Sequence, residues 1–297
     1  MGNLFVAEKP LTNAAWYQQL SALIDAIESE EFCSELAKVC QQLTGYDSTV
    51  IIAFIHQQKP RLLFSNLSEV DESPTLGPYF DGAYLLDPFY DLFKQDTEDG
   101  LFRLKEIAPD GFFETEYYRS YFKNTRIIDE TGLMVRLDRD IELAISCGQR
   151  EGSAPREFQI QDLRTVFPLL ASACRRHWSG ELQHSELTGK VNVGGEFGST
   201  LEVAFLNFGK DHLTSRECEI VHLILKGYAS KSIAELLGIS VDTVKVHRKR
   251  FHSKLKVSSQ AELFSLFLEA ISMVPLGSEQ DPLSFYYESQ EIRPGPE

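Results

Sequence analysis

Apolar residues recur at helical spacing along the first part of this 297-residue chain. Leu20, Leu23, Ile24 and Ile27 predict an amphipathic helix over 14–27. Leu36, Val39, Cys40 and Leu43 predict a second over 31–43, which Gly45 and Asp47 break. From Ser48 to His56 the residues turn β-branched and aromatic, the composition of a strand. Residues 57–60 read as a turn and 61–65 as a return strand. Residues 79–122 hold thirteen aromatics in 44 positions. Residues 133–137 and 141–148 predict a hairpin with Asp138, Arg139 and Asp140 at its turn. Ile160, Leu163, Val166, Phe167, Leu170 and Cys174 share one face of a helix predicted over 158–182, which Pro168 should kink or divide.

The pattern changes after residue 184. The glycine-rich run from Gly189 to Gly198 predicts a linker over 185–208. Residues 209–273 then predict four short helices. Thr214 and Glu217 form a capping-box pattern for the first, which buries Ile220, Leu223 and Ile224 and stops at Gly227. Ser230 starts the second, with Ile233, Ala234 and Leu237 inward. Gly238-Ile-Ser240 makes a three-residue turn, and Ser240 caps a third helix over 241–255. The fourth, over 259–271, carries Leu263, Leu266, Phe267 and Ile271. From Pro275 onward, four prolines and five acids without a period predict a loosely ordered tail over 274–297. The expected fold class is α+β, an N-terminal mixed domain over 14–184 joined to an all-α four-helix domain.

Composition narrows the function. Hydrophobic residues make up 43% and charged residues 25%, ordinary for a globular chain whose length suits two domains. No run of ~18 apolar residues suggests a membrane span, and Met1 to Pro10 lacks the start of a secretory signal. Cys33, Cys40, Cys147, Cys174 and Cys218 are odd in number and scattered, so no disulfide framework or zinc knuckle is expected and a cytoplasmic setting fits. The glycines of the linker fit neither G-x-G-x-x-G nor a phosphate loop. His56, His177 and His184 show no catalytic spacing with Cys147 or Asp87. No catalytic residue, metal or cofactor is therefore expected, and no enzyme.

The net charge of −15 argues at first against a nucleic-acid partner, but the charge is uneven. Residues 1–212 carry −14 and residues 213–271 carry +3; within the latter, Lys226 to Lys256 alone is +6. Local basic charge on an acidic chain suits a small DNA-reading module fused to a larger domain. In the third helix Val244, Phe251 and Leu255 can face the core while Lys245, Arg248, Lys249 and His252 project on the other side. A solvated basic helix face would have the same spacing.

The order Leu213-Thr-Ser-Arg-Glu217, Gly227, Ile233-Ala234, Leu237, Ile239-Ser240, Thr243-Val-Lys245, His247, Lys254-Leu255 and Val257 resembles the LuxR-type (GerE-like) helix-turn-helix domain over about 60 residues. The resemblance implies a DNA-binding transcription regulator. It points to Lys245, Val246 and Lys249 as base-reading residues in the major groove. It suggests Lys231, Thr243, Arg248 and Lys254 as phosphate contacts, with His247 either a phosphate contact or a packing residue. It also implies that the fourth helix mediates dimerisation on DNA, which would place Ala261, Leu263, Phe264 and Phe267 near a two-fold axis or in the core. The expected partners are double-stranded DNA, a second copy of the chain, a small-molecule effector and RNA polymerase, with no membrane.

For the N-terminal domain the helix–strand order suits a GAF- or PAS-like small-molecule sensor. Tyr79, Tyr84, Asp87, Tyr90, Tyr117 and Tyr121 are the candidate ligand-binding residues, and core packing is the competing role. A phosphoacceptor receiver is excluded because Gln57, Gln58 and Lys59 follow the first strand where acids are needed. Tyr84-Leu-Leu-Asp87-Pro88 echoes the acyl-homoserine-lactone receptors of quorum sensing. The two tryptophans, Trp16 and Trp178, lie outside that segment. That receptor, and an enzyme or protein-interaction module carrying the helical unit as an adaptor, are the alternatives.

Overall fold

A computed structural model of the chain describes residues 14–68, 76–151, 160–179 and 193–292. Helices α1 (Ala14–Asp25) and α2 (Phe32–Thr44) pack on one another, and Gly45 ends α2 in the left-handed conformation. Strands β1 (Ser48–Ile55) and β2 (Arg61–Ser65) follow. The aromatic stretch then supplies α3 (Pro88–Lys94), β3 (Gly100–Arg103), the single helical turn α4 (Leu104–Ile107) and α5 (Glu116–Thr125). The hairpin β4 (Ile127–Arg136) and β5 (Ile141–Arg150) completes a five-stranded antiparallel sheet in the order β2-β1-β5-β4-β3. After the sheet come α6 (Ile160–Trp178), α7 (Val193–Asn207), α8 (Ser215–Leu225), α9 (Ser230–Leu237), α10 (Val241–Leu255), α11 (Gln260–Ser272) and α12 (Pro282–Ile292). No helix among the described residues is long and apolar enough to cross a membrane.

Strand alternation sorts the apolar residues onto two faces. Ile51, Ala53, Ile55, Leu133, Val135, Leu143 and Ile145 join Trp16, Phe32, Leu36, Leu170 and Trp178 in a core beneath α1, α2 and α6. The opposite face presents Ile52, Phe54, Met134 and Ala144 to the aromatic stretch. There Gly132 lets the Phe89 ring lie flat on the strand; an added Cβ would sit 2.3 Å from that ring. This second core does not stop at the sensory half. Phe205 and Phe208, Phe251 of α10, and Phe267 and Ile271 of α11 belong to it too. The two halves of the chain are thus welded by one apolar cluster.

Three expectations are corrected. Pro168 neither divides α6 nor ends it. Leu163, Val166, Leu170 and Cys174 are buried on both sides of it, and that burial outweighs the ~3 kcal/mol cost of an internal proline. The stretch assigned to a linker contains α7; residues 185–192 lie outside the described residues. Leu201, Ala204 and Phe205 form its buried face. The tail assigned as loose contains α12. Asp281 anchors it from a buried position, accepting from the amides of Gly209, Leu283 and Asp211, each at 2.9 Å. Leu283, in the first turn of α12, is fully buried.

Candidate nucleic-acid interface

The four helices α8 to α11 are positioned by local chemistry the sequence already contains. The Thr214 hydroxyl accepts from the Glu217 amide at 3.3 Å, and the Glu217 carboxylate accepts from the Thr214 amide at 2.9 Å. That carboxylate is 2% exposed and also receives Lys254 Nζ at 2.6 Å. Its burial pushes the Glu217 pKa up, but Lys254 and Thr214 outweigh this and hold it below the usual carboxylate range. Gly238 closes α9, and the Ser240 hydroxyl accepts from the Thr243 amide at 3.1 Å to start α10. Helix α10 lies across both α8 and α9.

On α10, Val244, Phe251 and Leu255 are buried. Lys245, Val246, Lys249 and Arg250 are exposed, Val246 at 49% despite its apolar side chain. Lys245 makes only a solvent-exposed pair with Asp242 at 3.1 Å, worth little and easily exchanged. Lys231 is exposed on α9. The remaining candidates are more committed. The Thr243 hydroxyl pairs with that of Ser240 at 2.8 Å, Arg248 Nη1 donates to the Ser230 hydroxyl at 3.2 Å, Lys254 is tied to Glu217, and His247 is half-buried. Arg250, which sequence reasoning did not select, extends the cationic surface. Its signal was present in the run Arg248-Lys-Arg250.

The expected dimerisation helix is occupied within the chain. Leu263, Phe264 and Phe267 are buried, and only Ala261 of the four is exposed. Phe267 stacks edge-on with Phe205 and Phe208, at 5.6 and 5.4 Å between ring centroids. The core role therefore holds for those three in this conformation.

Contacts between the halves include several polar ones that no motif announced. The Asp110 carboxylate accepts from the Ala229 amide at 2.9 Å and the Ser232 hydroxyl at 2.7 Å, where α9 begins. Burial pushes the Asp110 pKa up, but these donors outweigh it and hold it below its ordinary value. The Gly111 amide donates to the Gly227 carbonyl at 2.9 Å. Gly227 adopts a φ of +97°, and a Cβ there would lie 2.8 Å from the Phe112 backbone, so only glycine fits this approach. Lys226 pairs with Asp91 at 2.6 Å, and Glu202 receives Lys94 at 2.8 Å and the Tyr90 hydroxyl.

Of the candidate ligand-binding residues, Tyr79, Tyr84, Tyr90 and Tyr117 are buried together; the side chain of Tyr121 lies outside the described residues. Tyr84 meets Tyr90 edge-on at 4.9 Å. Asp87 caps α3, accepting from the Phe89 amide at 2.9 Å and the Tyr79 hydroxyl at 2.7 Å. Burial nevertheless raises its pKa to about 6.

The description "Bacterial regulatory proteins, luxR family" matches residues 211–267, which hold the capping box, the turn and α10. A putative HTH-type transcriptional regulator in the exeN 3' region of Aeromonas salmonicida is 31% identical over 198 residues, 66% of this chain and 100% of that protein. The chain belongs to the LuxR family. It is a DNA-binding transcription regulator, and α9, the turn at Gly238 and α10 lie within the matched helix-turn-helix region. Oxygen regulatory protein NreC of Staphylococcus epidermidis is 46% identical over 57 residues, only 19% of the LuxR-family chain and 26% of NreC. The crystal structure of the VqsR LBD domain from Pseudomonas aeruginosa matches with a TM-score of 0.50 and 28% identity, covering 56% of this chain and 98% of that one.

Proposed function

We propose that this regulator binds a pseudo-palindromic DNA site as a homodimer in the cytoplasm, that its N-terminal domain senses a small molecule, and that RNA polymerase is its partner in transcription. The exposed cationic face formed by Lys245, Lys249 and Arg250 around Val246 carries the DNA part of this reading. Lysine and arginine on one helix face can donate to guanine edges and phosphates, while an exposed valine suits a thymine methyl. Lys231 adds a phosphate contact from α9. Thr243, Arg248 and Lys254 approach the duplex secondarily, after exchanging their internal partners, and His247 does so from its half-buried position. The likeness to the VqsR LBD domain supports the sensing part.

The contacts between the halves give sensing a route to DNA. A helix N-terminus is a natural phosphate site, and Asp110 places a carboxylate on the amide and hydroxyl that open α9. A ligand that favours separation of the halves would free α9 and the buried face of α11 together. Such a ligand acts only through its differential affinity for the two arrangements. Selection of duplexes from a random pool by the full chain tests the proposal. The expected product contains two inverted half-sites about one helical turn apart. On that duplex Asp110→Ala binds several-fold tighter than the parent without a change in preferred sequence. A pool that never converges would refute DNA reading, and an unchanged Asp110→Ala affinity would refute the restraining role of the contact.

A further inference from the structure

A cleft of about 210 Å³ opens beside the first half of β4, with Leu104 and Glu130 at its floor and Phe113, Ile128 and Lys105 at its mouth. Glu130 is 8% exposed, and its Oε2 is buried without a hydrogen-bond partner among the described residues. We propose that this cleft binds a small organic cation, a primary or quaternary amine, between the Glu130 carboxylate and the rings of Phe113 and Tyr118. This names the ligand class for the sensing reading, and it rests on that reading only where occupancy is to alter DNA binding.

The charges around Glu130 set the sign of the ligand. A buried polar atom without a partner is costly and calls for one. Asp87 from the start of α3 and Asp129 beside it on β4 both act on Glu130 as like charges. Arg103 of β3 is engaged with Asp129. Lys105 is exposed at the rim. The Tyr79 and Tyr118 hydroxyls also face Glu130 but are held neutral, burial raising the pKa of each. With Arg103 drawn to Asp129, no cation among the described residues is paired with Glu130 itself, so a ligand that ionises this carboxyl must bring the positive charge with it.

The walls select the kind of cation. Phe113 and Tyr118 meet edge-on at 5.1 Å, and Phe113 is 44% exposed. Both rings line the cleft, and aromatic rings attract ammonium groups. A hard metal ion needs six or more oxygens, which rings and aliphatic walls do not provide. The volume lies below the ~300–1,000 Å³ of sites for drug-sized ligands, so the occupant is small.

Proton linkage gives the site a signature. Burial pushes the Glu130 pKa up to about 8; the charges of Asp87 and Asp129 add to this and the Ser146 hydroxyl opposes it. At neutral pH the empty site holds a proton that a bound cation must displace. Isothermal titration calorimetry on the full chain without DNA, with choline, n-butylamine and the neutral choline isostere 3,3-dimethylbutan-1-ol, tests this. Choline or butylamine should bind with release of one proton near pH 7, and affinity should rise about tenfold from pH 6 to pH 7. Glu130→Gln should lose at least tenfold in affinity at pH 8.5, together with the pH dependence. Phe113→Ala, at the open mouth, should weaken binding several-fold and keep the pH dependence. Binding of the neutral alcohol as tight as choline, unchanged binding by Glu130→Gln, or no heat with either amine at any pH would overturn the proposal. If choline binds but leaves DNA affinity unchanged, the site stands and the sensing reading falls.

Discussion

Replacing both Lys245 and Lys249 by alanine should abolish the regulator's preference for its operator over a scrambled duplex. Each lysine is exposed on α10, and neither is held by a buried partner. A good base contact discriminates by ~1–3 kcal/mol, so losing two separable contacts costs about 2–6 kcal/mol, or ~30-fold to more than 10⁴-fold. Lys249→Ala alone should relax preference at one position of each half-site. Competition binding with the selected duplex and single-base variants reads both effects. The fold should be untouched, because the side of α10 that packs inward consists of Val244, Phe251 and Leu255. A double variant with full discrimination and an unchanged melting temperature would mean that another surface reads DNA.

Phe267→Ala should destabilise the whole chain by ~3–5 kcal/mol, the range for emptying a buried phenylalanine site. Phe267 is fully buried on α11 between Phe205 and Phe208, inside the cluster that reaches the sheet through Phe54, Tyr84 and Phe89. The test has an internal reporter. Trp16 and Trp178 are the chain's two tryptophans, and both lie in the other core, across the sheet from Phe267. If the halves form one cooperative unit, tryptophan fluorescence and far-ultraviolet circular dichroism should lose the same number of degrees in the variant. A tryptophan transition that stays put while the helical signal melts early would mean that the shared core does not couple the halves.

Where the sequence was legible, a local rule sufficed. Thr214 with Glu217, Gly238 and Ser240 fix the helix ends around the turn through contacts three residues apart or closer, so α8, α9 and α10 could be placed in advance. Strand β1 and the β4–β5 hairpin were visible because β-branched and apolar residues concentrate there. The aromatic stretch hid β3 and α5, since rings that pack in every direction leave no period. Helix α7 was masked by Gly194, Gly195 and Gly198. Each disfavours a helix by ~0.8–1 kcal/mol, and burial of Leu201, Ala204 and Phe205 offsets this only once the sensory half is folded beside them. For the interface, helical phase singled out Lys245 and Lys249, which are exposed, together with Arg248 and His252, which are half-buried, while the exposed Val246 came from the family resemblance alone. The internal partners of Arg248 and Lys254 did not follow from phase, because Ser230 and Glu217 lie 18 and 37 residues away. Asp110 and Glu130 belong to no motif. Their roles arise from groups brought near them by packing, and Asp110 meets Ala229 from 119 residues away.

The salt dependence of duplex binding tests the central claim most directly, because the exposed cations of α10 and Lys231 should displace counter-ions from the phosphate backbone. Fluorescence anisotropy with the selected duplex should give a linear fall of log affinity with log salt, at about 0.9 per phosphate contacted. Arg250→Ala and Lys231→Ala should each reduce that slope while leaving sequence preference intact. Affinity that does not change with salt, or a slope indifferent to all four cations, would contradict the assignment of α10 to the DNA groove.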